Sequence, residues 1–335
     1  MNIYDIAKLA GVSSATVSRV INNHPGVSEE RRRRVMAVLE KHDYVPNMFA
    51  RNLAGAPSKT VAILTVDIRH INYSIVAYEV EQQASRMGYN VFLCNTTRDP
   101  ARQQFYFRML ANKRVDCLVL IGTPLSNPVA HKALEDLFPE TPVIMMNSQF
   151  DGPNAHHVFG RVDDGVVKGV EYLHSLGHRK IVYINDDDHW VSRMKLDVFM
   201  EKAAALGIPV GEYSVYSTRS GYDSGVDAVN YFEENGVDYT AITGCDDITA
   251  IGIIKRLKAL GKSVPRDVSV IGYFNSQYAT ICEPALTSID NNIAMIAKAI
   301  CNNLNCALTK KTAPKKTYVD PILVVRDSAA PPKHS

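Results

Sequence analysis

The first 22 residues constrain the fold more than any other part of the chain, because they encode two short helices separated by a three-residue turn. Asn2 can cap the first helix, and Asp5 three residues later completes a capping-box-like start. Gly11 supplies the left-handed conformation that ends this helix, and Ser13 caps the next one. One face of the first helix carries the apolar residues Ile6, Leu9 and Ala10.

The second helix combines an apolar stripe with an outward face of small polar residues. The stripe consists of Val17, Val20 and Ile21. The outward face consists of Ser14, Ala15, Ser18, Arg19 and Asn22. Two short helices joined by a glycine-containing turn, with such an outward face, are typical of a DNA-reading helix-turn-helix. The alternative is an ordinary helical hairpin that only packs, and apolar spacing alone does not separate the two.

A third helix is predicted after Pro25 and Gly26, and it begins with Glu29 and Glu30 and continues into four arginines, residues 31–34. Cations near a helix start oppose its dipole, by about 0.3–1 kcal/mol each. The two glutamates can pair with the third and fourth arginines at i,i+4, which leaves the first two without such a partner. A solvated helix face is one interpretation of this run. Phosphate contact is the interpretation we favour beside a helix-turn-helix.

Charge is distributed unevenly along the 335 residues. Residues 1–59 hold nine Lys and Arg against five Asp and Glu, whereas the remainder holds 28 against 30. The basic charge of the N-terminal segment predicts a nucleic-acid partner. The six cysteines show no CxxC pairing, and no apolar run approaches the length of a membrane span. We therefore expect a reduced, cytoplasmic protein that does not enter a membrane.

From Thr60 onward, apolar strands alternate with polar turns and amphipathic helices, which predicts an α/β fold with parallel sheets. The predicted buried strands are Val61–Val66, Val91–Cys94, Cys117–Ile121, Val143–Met146, Ile181–Ile184, Ala241–Thr243 and Val268–Tyr273. The glycines expected to close helices are Gly88, Gly177, Gly207, Gly236 and Gly261. Seven core strands with a break near residues 160–163 favour two doubly wound subdomains.

Ligands of such sheets bind outside the carboxyl ends of the strands. The residues that follow the predicted strands are polar and include aromatic side chains, which suits a small polar ligand that stacks on rings. The sequence Asp186-Asp-Asp-His189 resembles a metal-ligand cluster, but consecutive residues rarely converge on one ion. The common nucleotide-binding and hydrolase motifs are missing from the sequence. We therefore predict no metal, no cofactor and no enzymatic activity.

Four segments in order along the N-terminal part resemble the headpiece of the lactose-repressor (LacI/GalR) family of bacterial transcription factors. They are Asp5-Ile-Ala-Lys-Leu-Ala-Gly-Val-Ser, Thr16-Val-Ser-Arg-Val-Ile-Asn22, Gly26-Val-Ser-Glu and Tyr44-Val-Pro-Asn47. The segment up to Val325 resembles the family's effector domain, with landmarks that include Leu176-Gly-His-Arg179 and Cys245-Asp-Asp-Ile-Thr-Ala-Ile-Gly252. The resemblance implies three parts: a headpiece over residues 1–46, a hinge helix and linker over 47–59, and an effector-binding domain over 60–330. The last would hold two subdomains, about 60–160 with 290–318 and about 161–289 with 319–330.

DNA contacts are predicted on the headpiece and the hinge. They fall on Tyr4, Ser13, Ser14, Ala15, Thr16, Ser18, Arg19, Asn22, Arg31, Arg32, Asn47, Ala50 and Leu53. Ser14 and Ala15 begin the recognition helix, and Arg19 can reach a guanine edge or a phosphate. The family's hinge leucine enters the minor groove, and Leu53 stands at that position here; the alternative is a plain tether.

Effector contacts carried over from the family fall on both subdomains. They are Asn72, Tyr73, Asn147, Arg193, Tyr216, Asp246, Asp247, Phe274 and Asn275. Arg193 would be the fixed cation that holds hydroxyls or a carboxylate. Two departures change the expected ligand: Phe274 stands where the family usually has Asp, and Asn147 where many members have Asp. A modified sugar, a glycoside or a nucleoside then fits better than a simple hexose.

Together these features predict a homodimeric repressor that binds operator DNA under the control of a sugar-like or nucleoside-like effector. The sequence is compatible with an effector that releases DNA and with one that promotes binding. One alternative is a ligand-binding protein of the periplasmic type, and another is an enzyme that uses the cluster at residues 186–189. Salt-dependent DNA binding and the fate of the ligand, respectively, would distinguish them.

Overall fold

The computed structural model describes residues 2–21, 24–42, 58–148, 150–186 and 190–333. The chain divides into two compact units, one that ends at Ser58 and a larger one that starts at Lys59.

The described residues of the N-terminal unit form three helices: α1 (Ile3–Ala10), α2 (Ser14–Ile21) and α3 (Glu29–Lys41). They enclose a small core made of Ile6, Ala7, Ala10, Val17, Val20 and Val35. Leu9, which we predicted on the buried face of α1, is 55% exposed. The buried stripe of α1 includes Ala7 instead, because positions 6, 7 and 10 share one side of a helix with 3.6 residues per turn.

The larger unit contains two six-stranded sheets. The first has the order β11-β5-β4-β3-β1-β2, and the second has the order β12-β10-β9-β8-β6-β7. The strands of the first sheet are β1 (Thr60–Thr65), β2 (Asn90–Asn95), β3 (Cys117–Ile121), β4 (Val143–Met146), β5 (Ala155–Gly160) and β11 (Lys316–Val319). Those of the second are β6 (Ile181–Asp186), β7 (Val215–Thr218), β8 (Ala241–Thr243), β9 (Ser269–Tyr273), β10 (Thr287–Asp290) and β12 (Ile322–Val324). All described pairings are parallel except that of β10 with β12.

Helices cover both faces of each sheet. Those packed on the first sheet are α4 (Ile71–Arg86), α5 (Pro100–Lys113), α6 (Pro128–Leu137) and α12 (Ile293–Leu308), and we call this assembly the first lobe. Those packed on the second sheet are α7 (Val162–Ser175), α8 (Trp190–Ala205), α9 (Tyr222–Glu234), α10 (Asp247–Ala259) and α11 (Gln277–Ile281), and we call this assembly the second lobe. A short 3-10 helix spans Thr123–Leu125. The predicted α/β fold with a helix-turn-helix and two doubly wound sheets is confirmed.

The chain passes between the lobes three times, after β5, after β10 and after β11. At the first crossing the amide of Arg161 donates to the carbonyl of Val319 at 2.9 Å. The guanidinium of Arg161 also reaches Asp164 at 3.2 Å and Asp320 at 3.5 Å. The first and third crossings are therefore held side by side.

Helices α9 and α10 approach each other at two glycines. A Cβ on Gly225 would lie 2.0 Å from the carbonyl oxygen of Thr249, and one on Gly252 would lie 2.0 Å from that of Tyr222. Close backbone contact of this kind admits only glycine.

Most interior strands were predicted within two residues of their observed ends, and all five helix-closing glycines have a positive φ. The prediction that Val91–Cys94 is a buried strand is wrong, because β2 lies at the sheet edge and leaves Phe92 and Leu93 exposed. Strands β5, β7, β10, β11 and β12 were not predicted.

The six cysteines are free, and Cys94, Cys117 and Cys245 are buried in the core. Within the described ranges, no helix combines the length and apolar character needed to cross a bilayer.

Candidate nucleic-acid interface and ligand cleft

Helix α1 begins and ends where the sequence predicted. The side-chain oxygen of Asn2 accepts from the amides of Tyr4 at 2.9 Å and Asp5 at 3.1 Å, and Asp5 Oδ2 accepts from the amide of Asn2 at 2.8 Å. Gly11 follows the helix at a φ of +65°. The reciprocal cap and the left-handed residue together fix the length of α1 and the direction of the turn.

Helix α2 is capped by Ser13, whose Oγ accepts from the amide of Thr16 at 3.2 Å. The hydroxyls of Ser13 and Thr16 also lie 2.9 Å apart. Val17 and Val20 are buried, as predicted. Ile21, which we predicted in the same stripe, is half-buried.

The outward face of α2 presents Ala15 and Arg19, one turn apart and both exposed. Ser14, Thr16 and Ser18 are half-buried. Among the other predicted DNA contacts, Tyr4 is 72% exposed. The predicted contacts Asn22, Asn47, Ala50 and Leu53, and with them the hinge, lie outside the described residues.

Helix α3 departs from its predicted pairing. Arg32, for which we predicted no i,i+4 partner, donates to the carbonyl of His24 at 2.9 Å and lies 4.0 Å from Glu29 at i,i+3. Ser28 precedes the helix, but its side chain makes no capping hydrogen bond. Arg32 therefore ties α3 to the segment before it, whereas Arg31 is exposed.

The N-terminal unit thus places an exposed arginine and an exposed alanine on one turn of a short helix, in a segment with a net charge of +4 over residues 1–59. An alanine offers apolar contact to a base edge, and an arginine offers two donors to a guanine or a phosphate. This arrangement can read a major groove.

Aromatic rings cluster at the start of α4 in the first lobe. Asn72 is buried and Tyr73 is half-buried at the start of α4. The ring of Tyr73 stacks on that of His70, with centroids 4.2 Å apart. A Cβ on Gly122 would lie 3.0 Å from Tyr73 Cζ, so the glycine after β3 makes room for this ring. His70 was not among the predicted site residues.

Two adjacent carboxylates of the second lobe, those of Asp246 and Asp247, accept hydrogen bonds from other residues of that lobe. Asp246 caps α10, where Oδ1 accepts from the amide of Thr249 at 2.8 Å and Oδ2 accepts from the hydroxyl of Ser220. Asp247 Oδ2 accepts from the amide of Ser276, and Oδ1 accepts from the hydroxyl of Ser288, each at 2.6 Å. Burial raises the pKa of Asp247 to about 6. Internal hydrogen bonds therefore use oxygens that we predicted to meet an effector.

The loop after β9 adopts an unusual conformation, with a φ of +94° at Phe274 and +46° at Asn275. The side chain of Asn275 donates to Asp290 at 3.1 Å and accepts from Arg326 at 2.6 Å. The ring of Phe274 meets that of His70 edge-on, with centroids 5.4 Å apart. Phe274 is therefore an aromatic contact of the second lobe with the first.

Two predicted effector contacts lie elsewhere than expected. Arg193 is exposed on α8, whereas Lys195, two residues further, is only 4% exposed. The Nζ of Lys195 lies 4.6 Å from the centroid of the Tyr273 ring. Tyr216 packs on Tyr231, with ring centroids 4.9 Å apart, at the edge of a core cluster. Lys195 was not among the predicted contacts, because periodicity does not show which face of α8 meets the second sheet.

A cavity of about 490 Å³ opens between the lobes. It is lined by Asn147, Ser148, Phe150, Asp151, His157, Phe159, Gly160, Arg161, Val162, Asp163, Trp190, Val191, Met194, Lys316 and Tyr318. Asn147 has a φ of +52°, and its Oδ1 accepts from the amide of Gly160 at 2.9 Å. The volume falls in the usual range for small-molecule sites.

Within the described ranges, acidic, histidine and cysteine side chains form no group of three able to hold a metal ion. Residues 187–189 of the predicted cluster lie outside those ranges.

Parts of both units match known protein families. Residues 2–47 match the family described as bacterial regulatory proteins, lacI family, and residues 170–329 match a periplasmic binding protein-like domain. An HTH-type transcriptional regulator of Lachnoclostridium phytofermentans is 33% identical over 328 residues, which cover 97% of this chain and 98% of the relative.

Two solved structures extend the comparison. The lac repressor dimer bound to operator and the anti-inducer ONPF superposes with a TM-score of 0.86 at 23% identity, covering 98% of this chain and 99% of that one. The complex of the transcriptional regulator CelR with cellobiose superposes with a TM-score of 0.72 at 25% identity, with the same coverage. By its extent and identity, the match to the L. phytofermentans regulator shows that this chain belongs to the lacI family of bacterial regulatory proteins, which are DNA-binding transcriptional regulators and not enzymes.

Proposed function

We propose that the protein represses transcription as a homodimer on operator DNA, and that a small sugar-like or nucleoside-like effector bound between the lobes sets its operator affinity. The domain division proposed is the one the sequence predicts, with a headpiece over residues 1–46, a hinge over 47–59 and an effector domain over 60–330.

The observation that supports effector control is that both lobes line the 490 Å³ cavity. Asn147 and Phe159 belong to the first lobe, whereas Trp190, Val191 and Met194 belong to the second. A ligand in contact with both lobes stabilises one closure angle over others, and such differential binding is the source of coupling between two sites. Typical coupling corresponds to roughly a 5- to 150-fold change in affinity.

Asn147 lines the cavity, and we assign it to the effector. Beyond the cavity lining, we assign further effector contacts to Tyr73 with His70, to Phe274 and to Lys195. We assign to Lys195 the predicted role of Arg193, that of a cation that holds hydroxyls or a carboxylate, because Lys195 is the buried cation of α8. Asp247 and Asn275 take a supporting role, since internal hydrogen bonds use their side chains.

Support for the homodimer comes from exposed apolar side chains of the larger unit. Ile75 and Tyr78 lie on the outer side of α4, and Phe92 and Leu93 lie on the adjacent edge strand β2. Such exposure on a sheet edge is common at protein interfaces, because an unpaired edge and an apolar surface both gain from a partner. The lac repressor structure that this chain resembles is a dimer.

The DNA arm of the proposal is tested with a duplex enriched from a random library by the protein itself. The logarithm of affinity should fall linearly with that of salt concentration, with a slope of about 0.9 per phosphate contacted. Arg19→Ala should weaken binding to the enriched duplex by about 1–3 kcal/mol and binding to random DNA much less. Arg31→Ala is the matched control, since an exposed phosphate contact should lose affinity equally on both duplexes.

The effector arm uses the same duplex. Sugars and nucleosides are screened for a change in operator affinity of at least fivefold, the lower limit of typical coupling.

Equal loss of affinity on both duplexes with Arg19→Ala would show that Arg19 contacts the DNA backbone and not a base. A flat salt response would contradict operator binding, and the absence of any ligand effect on operator affinity would contradict effector control.

A further inference from the structure

The cavity between the lobes continues past Asn147 along the open edge of the first sheet. Phe159 on β5 is paired with Tyr318 on β11, and their rings stack with centroids 5.4 Å apart. The ring of His157, also on β5, stacks on that of Phe159 with centroids 5.5 Å apart. Asn147 follows β4, so the wall from Asn147 to Tyr318 spans two inter-strand spacings, roughly 10 Å. This is longer than a single six-membered ring.

Trp190 and His157 bring unpaired polar atoms to the cavity. The Nε1 of Trp190, a donor, is buried and has no hydrogen-bond partner among the described residues. The same is true of Nδ1 of His157, whose ring also bonds to the backbone of Phe150. A buried donor or acceptor without a partner costs about 1–3 kcal/mol, so a ligand that supplies one gains affinity.

The cavity lining offers a further donor on Asn147 and a further acceptor on Asp163. Since Oδ1 of Asn147 accepts from Gly160, its amide nitrogen remains to donate. The carboxylate of Asp163, at the start of α7, makes no hydrogen bond or ion pair with any described residue and can only accept when ionised. A hydroxyl group both donates and accepts, and so matches this alternation of donors and acceptors.

The charges on the wall favour a neutral ligand. The guanidinium of Arg161 is paired with Asp164 and Asp320. The remaining charges are Asp151 and Asp163 against Lys316. A phosphate or carboxylate would meet two carboxylates and one unpaired cation, which disfavours an anionic ligand.

We propose that the effector is a neutral disaccharide, with one ring at Asn147 and Asp163 and the second ring against Trp190 and Tyr318. This rests on the proposed function, since it names the ligand class of the same cleft. The aromatic wall supplies apolar surface for the faces of sugar rings, and the polar atoms pair with hydroxyls.

Trp190 is the only tryptophan of the chain, so its emission reports occupancy of this cavity. The full-length protein is titrated with cellobiose, lactose and maltose, and separately with glucose, galactose, glucuronate and adenosine. At least one disaccharide should change the emission to saturation, with an affinity at least roughly tenfold above that of its monosaccharides, because only a disaccharide reaches Tyr318.

Tyr318→Ala supplies the second measurement. Tyr318 is 62% exposed, so its truncation should leave the fold intact. The variant should lose roughly tenfold in disaccharide affinity, while any monosaccharide affinity stays unchanged. Tyr213→Ala, at an exposed tyrosine before β7, is the matched control and should change neither affinity.

The outcomes separate this inference from the function it rests on. If no disaccharide changes the emission, if a monosaccharide, glucuronate or adenosine binds as tightly, or if Tyr318→Ala binds like the wild type, the disaccharide assignment is overturned. Should adenosine or a monosaccharide then change operator affinity, the proposed function still stands. Conversely, a disaccharide that binds at Trp190 without changing operator affinity would support the site and contradict effector control.

Discussion

Replacing Asp247 by asparagine should change how the stability of the larger unit depends on pH. The carboxylate accepts from the amide of Ser276 and the hydroxyl of Ser288, and its burial raises its pKa from 3.8 to about 6. The folded protein therefore binds a proton between these two values that the unfolded chain does not. Stability from this group is fully present below pH 3.8 and is lost as pH rises through about 6. One pKa unit corresponds to about 1.4 kcal/mol, so the loss amounts to about 3 kcal/mol.

The asparagine side chain has nearly the same shape and does not titrate. Its oxygen can accept from the amide of Ser276, and its amide can donate to the hydroxyl of Ser288, which has two lone pairs. The free energy of unfolding is measured for Asp247→Asn and the wild type by urea denaturation, followed by the emission of Trp190, at several pH values from 4 to 7. The wild type minus the variant should fall by about 2.4 kcal/mol over this range, because at pH 4 part of the full effect has already been lost. A flat difference, or one that rises with pH, would refute the assignment of a raised pKa to this carboxylate.

Three further substitutions, one of them a control, test other parts of the structure. Gly225→Ala places a Cβ 2.0 Å from the backbone of Thr249 and should cost at least about 3 kcal/mol in urea denaturation, because two helices must separate. Gly211→Ala, where the added Cβ meets only ordinary contacts, should stay within about 0.5 kcal/mol of the wild type, and equal losses would contradict the helix contact. Asp267→Asn should act oppositely to Asp247→Asn, because the hydrogen bond from Lys333 lowers the pKa of Asp267 to about 2. Its stabilising effect should be present above pH 3.8 and disappear towards pH 2, and a melting-temperature difference unaffected by acid would contradict it.

The sequence predicted the headpiece and the interior strands because local rules decide them. The capping box of Asn2 and Asp5, the left-handed Gly11 and the apolar runs of β3, β4 and β8 need no distant partner to be interpreted. Strands β5 and β11 were missed because polar side chains interrupt their apolar pattern. Their pairing with each other depends on a chain separation of more than 150 residues, which no local pattern reveals.

In the candidate site, side-chain direction and competing hydrogen bonds decide what a sequence pattern leaves open. Arg193 and Lys195 are two positions apart, hence about 200° apart around a helix, so only the packing of α8 decides which one is buried. Asp247 and Asn275 follow strands, as predicted, but neighbouring donors and acceptors take up their side chains. Sequence position shows that a polar residue is near a cleft, whereas its hydrogen bonds decide whether it is available to a ligand.

The return of the chain to both sheets near its C-terminal end has a consequence for biosynthesis. Strand β11 completes the first sheet and β12 the second, and both lie within residues 316–324. Neither lobe can therefore reach its final strand order while the ribosome is still adding the middle of the chain, although helices α1, α2 and α3 will already have emerged. During translation, the helix-turn-helix should be folded well before the part that senses the effector, and ribosome-bound intermediates should expose the unpaired edges of β5 and β10.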